Sequence, residues 1–296
     1  MKLEGIFAPL TVPFLANGNV DTANLRRNIE HYNHTPLTGY VMNGSTGESV
    51  LLRWEEIYRD WDVAKEAADS SKVLIAGTGA ESTPETIAHT ARAADAGFDF
   101  ALVRTPGYYR PFMTLEAEAE HFLRVADATR IPVLVYSIPQ FTGITVEAEL
   151  LERLATHENI VGIKDSSGSV ERVEQMHAAV PDFSILVGAA STLEASMKAG
   201  ASGGILAVAC AFPELCVELY RAFRAGDGEK AKSAQEKLMA PSTLLVSKHG
   251  IPGLKYALDA LGYFGGMPRR PLLPLKAEAK KEIDGMLEAL GVARMA

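Results

Sequence analysis

The chain has 296 residues, 47% of them apolar and 22% charged, and a net charge of -8. That is enough apolar material for one large core. The acidic balance argues against a nucleic-acid or anionic-membrane surface, since both demand a basic patch. No run of eighteen apolar residues is present to span a bilayer, and residues 1–6 lack the apolar core of a secretory signal.

Short apolar runs stand at 5–11, 39–44, 73–77, 100–105, 132–138, 160–164, 184–188 and 203–207. Each is rich in β-branched residues and apolar on both parities, as expected of parallel strands covered on both faces. Amphipathic stretches lie between them. Residues 84–96 put Ile87, Ala91 and Ala94 on one face, and residues 115–128 carry Phe122 and Val125. Thr83, with Pro84 behind it, is the predicted N-terminal cap of the first of these helices. Eight strand–helix units in about 225 residues predict an α/β fold, a (β/α)8 TIM barrel over residues 1–225. The rival, a doubly wound open sheet, carries a glycine-rich phosphate turn after its first strand. Thr11-Val12-Pro13-Phe14-Leu15 cannot serve as one. Residues 226–296 read as a C-terminal helical extension packed on the barrel, with helices at 229–246, 252–261 and 274–290 and an irregular link at 262–271. Cys210 and Cys216 sit in an Ala- and Leu-rich stretch and read as reduced, small apolar residues of a cytoplasmic protein.

A barrel builds its active site at the C-terminal ends of its strands, which reduces the chain to a short list. The second strand ends in Asn43-Gly44-Ser45-Thr46-Gly47-Glu48. Backbone donors in such a turn suit a carboxylate; on this motif alone an ordinary Ser/Thr cap with a Ser45–Glu48 capping box is the favoured expectation, and both can hold together. The fourth strand ends in Thr105-Pro106-Gly107-Tyr108-Tyr109-Arg110, and the fifth in Tyr136-Ser137-Ile138-Pro139. The sixth ends in Lys164-Asp165-Ser166, the seventh at Gly188. A lysine held at a strand end either reaches solvent or is buried for its chemistry. Burial disfavours an ammonium and frees the amine as a nucleophile. Tyr136 would lie on the adjacent strand, about 4.8 Å away, where a phenol can shuttle the protons that imine chemistry requires. Alternatively, it is a half-buried aromatic whose hydroxyl finds a backbone partner. His31 and His34 share a helix face, with no third group at metal-ligand spacing, and read as solvated surface. Residues 188–191 and 200–204 occupy positions where barrels bind phosphate, but no Lys or Arg accompanies them.

Gly44-Ser45-Thr46-Gly47-Glu48, Tyr136-x-x-Pro139 followed by Thr142-Gly143, and Gly162-Ile163-Lys164-Asp165-Ser166 occur in order. Together with Gly250-Ile251-Pro252-Gly253-Leu254-Lys255 in the tail, they make the chain resemble the dihydrodipicolinate synthase/N-acetylneuraminate lyase family of class I aldolases over nearly its whole length. The resemblance implies an imine between Lys164 and a 2-oxo acid, with Tyr136 as general acid/base and no metal or other cofactor. It implies that Ser45 links Tyr136 to a second tyrosine, Tyr108, reaching in from a neighbouring subunit of a homotetramer. Ser45 and Thr46 would hold the substrate carboxylate, and Gly188 and Ile205 would line the pocket.

Synthases of the family clamp their aldehyde's carboxylate with an arginine two residues before the glycine of the strand-five loop. Phe141 stands there and cannot make bidentate carboxylate bonds. That weakens the synthase expectation. In Tyr136-Ser137-x-Pro139, Lys164-Asp165-Ser166, the Tyr108-Tyr109-Arg110 turn and the 262–266 tail the chain is most similar to the 4-hydroxy-2-oxoglutarate aldolase branch, so the favoured expectation is cleavage of that compound to pyruvate and glyoxylate. Phe141 departs from that branch too, where a small polar residue is usual. Ser166 would touch the distal end of the substrate. The alternatives are dihydrodipicolinate synthesis from pyruvate and aspartate semialdehyde, a sugar-acid aldolase or dehydratase, and a non-catalytic 2-oxo acid binder.

Overall fold

The computed structural model describes residues 2–292. Among them are eight strands: β1 (Gly5–Pro9), β2 (Gly39–Met42), β3 (Val73–Gly77), β4 (Phe100–Arg104), β5 (Val133–Ser137), β6 (Ile160–Asp165), β7 (Ser184–Val187) and β8 (Gly203–Ile205). They are hydrogen-bonded in sequence order, and the order closes into a (β/α)8 barrel. Every predicted run contains its strand except the sixth, where β6 runs one residue further, to Asp165. β1, β2, β5, β7 and β8 are buried along their whole length, which is why they are apolar on both parities. Among the described residues no helix is long and apolar enough to cross a membrane.

The helices are α1 (Thr22–Asn33), α2 (Trp54–Ala67), α3 (Thr83–Asp95), α4 (Leu115–Asp127), α5 (Pro139–Thr142), α6 (Ala148–Leu154), α7 (Val170–Ala179), α8 (Leu193–Lys198), α9 (Pro213–Arg224), α10 (Gly228–Pro241), α11 (Gly250–Ala260) and α12 (Ala277–Ala289). By internal contacts the chain falls into two units. The first joins the N-terminal residues through Gly5 to Val73–Ile205; the second joins Ile6–Lys72 to the chain from Leu206 onward.

In the first unit β4 pairs with β5 from Ala101↔Val133 to Arg104↔Tyr136. β5 pairs with β6 so that Tyr136 faces Lys164, after an irregularity at Val133/Leu134. α3 starts one residue earlier than predicted. Its cap is Ser82, whose hydroxyl accepts the Glu85 N–H at 3.3 Å. Pro84 still occupies the first turn, where its missing donor costs nothing.

In the second unit β1 pairs with β2 at Phe7↔Gly39, and Asp21 caps α1 by accepting from the Asn24 N–H. The helix predicted over 229–246 changes character part-way. α10 ends at Pro241, and the chain continues as a π-helical segment, Ser242–Lys248. Proline cannot donate to the α-helical ladder, so the regular pattern yields there. His31, read as solvated surface, is stacked on Tyr263 with ring centroids 4.3 Å apart.

Candidate active site

The first unit brings Tyr136 and Lys164 together. They are register partners on β5 and β6, each only 4% exposed. Lys164 Nζ lies 4.2 Å from the centre of the Tyr136 ring. The lysine thus does not reach solvent, contrary to the bland reading of a strand-end charge. β-branched strand residues hold both side chains by their backbones, so the pair is set by register rather than by flexible loops.

The turn after Lys164 is tied down on several sides. Asp165, 2% exposed, accepts from the backbone N–H of Ser167 at 2.9 Å, and its other oxygen is 3.7 Å from Arg172 Nε. The Ser166 N–H donates to the Ser137 carbonyl, and the Gly188 N–H to that of Asp165 at 2.7 Å. Gln140 Nε2 donates to the Ser166 carbonyl at 3.2 Å, linking α5 to this turn. Ser166 and Gly188 are close neighbours: a Cβ on Gly188 would stand 2.0 Å from Ser166 Oγ. Only glycine fits there.

The remaining candidates of this unit are placed as follows. Ile205 closes β8 and is 1% exposed. Phe141, on α5, is 72% exposed. Tyr108 is 79% exposed and meets Tyr109 edge-on. The backbone beneath Tyr108 is fixed by a residue that sequence reasoning passed over. Glu81 accepts the N–H groups of Gly107 and Tyr108 at 3.0 and 2.9 Å, and its other oxygen accepts from Arg104 at 2.7 Å. Burial alone would raise the Glu81 carboxyl, but these donors hold it below the usual carboxylate range. A glutamate in a loop carries no periodic signal, so only the fold reveals it.

Ser45 and Thr46 belong to the second unit. They form a single 3-10 turn, Ser45–Gly47, entered through Gly44 and left through Glu48. The capping-box reading is not what forms. Glu48 makes no cap bond and stands in the left-handed region at φ 58°, with Asn43 at φ 54° on the other side of the turn. The Glu48 side chain turns inward instead, to Lys255 of α11, whose Nζ is 2.6 Å away; both side chains are fully buried. The capping box of this region sits one turn later, where Glu56 caps back onto the Arg53 N–H at 2.9 Å.

Arg269 joins the same cluster. Its backbone N–H donates to Glu48 at 2.7 Å, and its guanidinium grips both oxygens of Glu56, at 2.8 and 2.7 Å. This fork holds the Glu56 carboxyl down at about 2. Phe14 presents its ring to both cations, 4.3 Å from Lys255 Nζ and 4.7 Å from the guanidinium carbon of Arg269. Burial pulls the Lys255 amine below the ordinary lysine range, opposed by Glu48. Asp60, wholly buried on α2, accepts from Asn43 Nδ2 at 2.9 Å and is pushed up to about 7 by burial.

The dihydrodipicolinate synthetase family model matches residues 2–290. The 4-hydroxy-tetrahydrodipicolinate synthase of Anaplasma marginale (strain Florida) is 35% identical over 99% of this chain and 97% of its own length. The chloride-inhibited dihydrodipicolinate synthase of Acinetobacter baumannii, solved with pyruvate, superposes with a TM-score of 0.94 at 30% identity, covering 98% of this chain and all of that one. YagE, a prophage protein of the dihydrodipicolinic acid synthase family from E. coli K12, also solved with pyruvate, gives a TM-score of 0.92 at 27% identity, covering 98% and 99%.

Proposed function

This chain belongs to the dihydrodipicolinate synthetase family, pyruvate-dependent class I carbon–carbon lyases and synthases, and on that premise we propose that Lys164 is its imine-forming lysine and Tyr136 its general acid/base. The observation that carries the assignment is the register pairing of the two residues, with Nζ 4.2 Å from the ring centre and both side chains buried.

The steps follow from that pair. The neutral amine adds to the 2-oxo carbon, and the carbinolamine loses water after proton transfer through the Tyr136 hydroxyl. The protonated imine then serves as the electron sink. Tyr136 takes the proton of the 4-hydroxyl, the C3–C4 bond breaks, and its electron pair enters the enamine as the aldehyde leaves. Protonation at C3 and hydrolysis return pyruvate and free lysine. Ser45 and Thr46 hold the substrate's 1-carboxylate, and Ser45 passes protons between Tyr136 and Tyr108 of a neighbouring copy in a homotetramer. Gly188 and Ile205 shape the pocket around the imine, and Ser166 meets the distal group. Residues 1–225 form the catalytic barrel and 226–296 its helical extension, in a cytoplasmic enzyme.

The favoured substrate is 4-hydroxy-2-oxoglutarate, cleaved to pyruvate and glyoxylate. The likeness of the Tyr108-Tyr109-Arg110 turn and of residues 262–266 to that branch supports this; Phe141 offers no bidentate partner to a second carboxylate, but both substrates carry one, so it does not decide between them. A synthase condensing pyruvate with aspartate semialdehyde is the second reading, supported by the activity for which the Anaplasma relative is named. Borohydride reduction in the presence of pyruvate tests the chemistry. One stable pyruvyl mass on Lys164 is expected, and none on Lys164→Ala; an adduct that survives in that variant would refute the assignment. Parallel assays of 4-hydroxy-2-oxoglutarate cleavage and aspartate semialdehyde condensation decide the substrate.

A further inference from the structure

Two non-glycine residues with positive φ, Asn43 at 54° and Glu48 at 58°, bracket the Gly44–Gly47 turn. Such a backbone is unfavourable for residues with a Cβ and persists only where the surroundings impose it. Here the surroundings are charged and buried. Glu48 is fixed by the Lys255 ammonium on one oxygen and the Arg269 N–H on the other. Asn43 is fixed by Asp60. Lys255 also donates to the Met267 carbonyl at 3.1 Å, and Arg269 reaches the Leu51 and Gly18 carbonyls. The 3-10 turn and the C-terminal segment around Met267 and Arg269 are therefore held by one network, more than two hundred positions apart in sequence.

A buried ion pair is a poor source of stability, because desolvation offsets its attraction. Its better-attested use is to fix one conformation among several. The conformation fixed here is that of the Ser45–Thr46 turn, which the function proposed above assigns to the substrate carboxylate; the inference rests on that reading. A turn already held in shape does not have to be ordered when the anion arrives, and preorganisation of this kind appears as affinity.

We infer that Glu48 and Lys255, with Arg269 behind them, are positioning residues for the 2-oxo acid's carboxylate. The chain beyond the eighth strand thereby supports substrate recognition without touching the substrate. The pair sets affinity for the carboxylate and leaves the amine chemistry of Lys164 alone.

Reductive trapping with two ketones isolates the effect. Pyruvate carries the carboxylate and acetone does not, yet both can form an imine. The double variant Glu48→Gln/Lys255→Met removes both charges and leaves neither unpaired; Glu48→Asp keeps the charge but withdraws it by one methylene. In either variant the pyruvate concentration giving half-maximal trapping is expected to rise roughly tenfold, the worth of a weakened charge-assisted hydrogen bond, while the acetone dependence stays unchanged. A merely structural role would weaken both ketones alike, and an unchanged pyruvate-to-acetone ratio in the folded variants would overturn the inference. Wild-type protein that pyruvate fails to modify at Lys164 would instead overturn the functional assignment, and this inference with it.

Discussion

Asp60→Asn should stabilise this protein in alkaline solution and do almost nothing in acid. Asp60 is wholly buried, and among the described residues its hydrogen bond is to Asn43. Its second oxygen and the Asn43 carbonyl oxygen are both buried without a hydrogen-bond partner among the described residues. Burial therefore holds the acid proton up to about 7 against an ordinary 3.8. The sign follows from proton linkage. The unfolded chain releases this proton from about pH 4, while the folded chain keeps it until about 7, so the folded state binds more protons in that window. Stability from this site is full below pH 4 and falls as pH rises to 7. Three pH units at 1.36 kcal/mol each set a ceiling of about 4 kcal/mol on the loss. Asparagine keeps one hydrogen bond with Asn43 and carries no charge, so the variant escapes the loss. For a chain of 296 residues that ceiling is a rise of about 6 °C in melting temperature at pH 8, against little change at pH 4.5. Thermal scans of both proteins at one concentration across pH 4.5–8 measure it. A melting difference independent of pH would show that Asp60 is ionised throughout, and the burial argument would fail.

Tyr136→Phe is expected to lower kcat by about 10²-fold while still yielding the Lys164 adduct in borohydride trapping; full activity would remove the phenol from the mechanism. Gly188→Ala places a methyl 2.0 Å from Ser166 Oγ and 3.1 Å from its Cα. The backbone cannot yield as a flexible side chain would, so a loss of about 1–3 kcal/mol in stability is expected, read by thermal unfolding; an unshifted transition would refute the close fit. Phe141→Arg supplies a bidentate cation on α5 and should raise kcat/KM for 4-hydroxy-2-oxoglutarate at least about tenfold relative to 4-hydroxy-2-oxopentanoate, which lacks the distal carboxylate. No change in that ratio would take Phe141 out of the specificity argument.

The barrel was legible because its signal is periodic and repeated. Eight apolar runs leave little choice of architecture, and the strand ends then reduce the chain to a short list that includes Tyr136 and Lys164; their roles came from the family resemblance and not from the strand ends. What escaped was everything that depends on contacts distant in sequence. Ser45 and Glu48 have the spacing of a capping box, and local reasoning prefers the local partner. Lys255, two hundred positions later, takes its place because Glu48 brings a carboxylate to within 2.6 Å of a fully buried ammonium. Glu81 was invisible for a related reason: beside Arg104, its partners are the backbone N–H groups of Gly107 and Tyr108, and backbone donors leave no mark in a sequence.

The same contrast explains why the chemistry reads more clearly than the substrate. The imine half of the reaction is proposed for residues on buried, registered strands, whose geometry tolerates little variation. The distal half would meet α5 and its neighbours, where Phe141 is 72% exposed and Gln140 donates to the Ser166 carbonyl in the turn after β6. A substitution at such a position costs little stability, so it is free to change with the aldehyde being handled. Specificity in this fold is therefore expected to vary through the strand-five loop while the lysine–tyrosine pair stays fixed. Exchanging residues 140–142 should move the ratio of aldehyde substrates without changing the yield of the Lys164 adduct with pyruvate. A graft that abolished the pyruvate adduct instead would show that the two halves of the site are not separable.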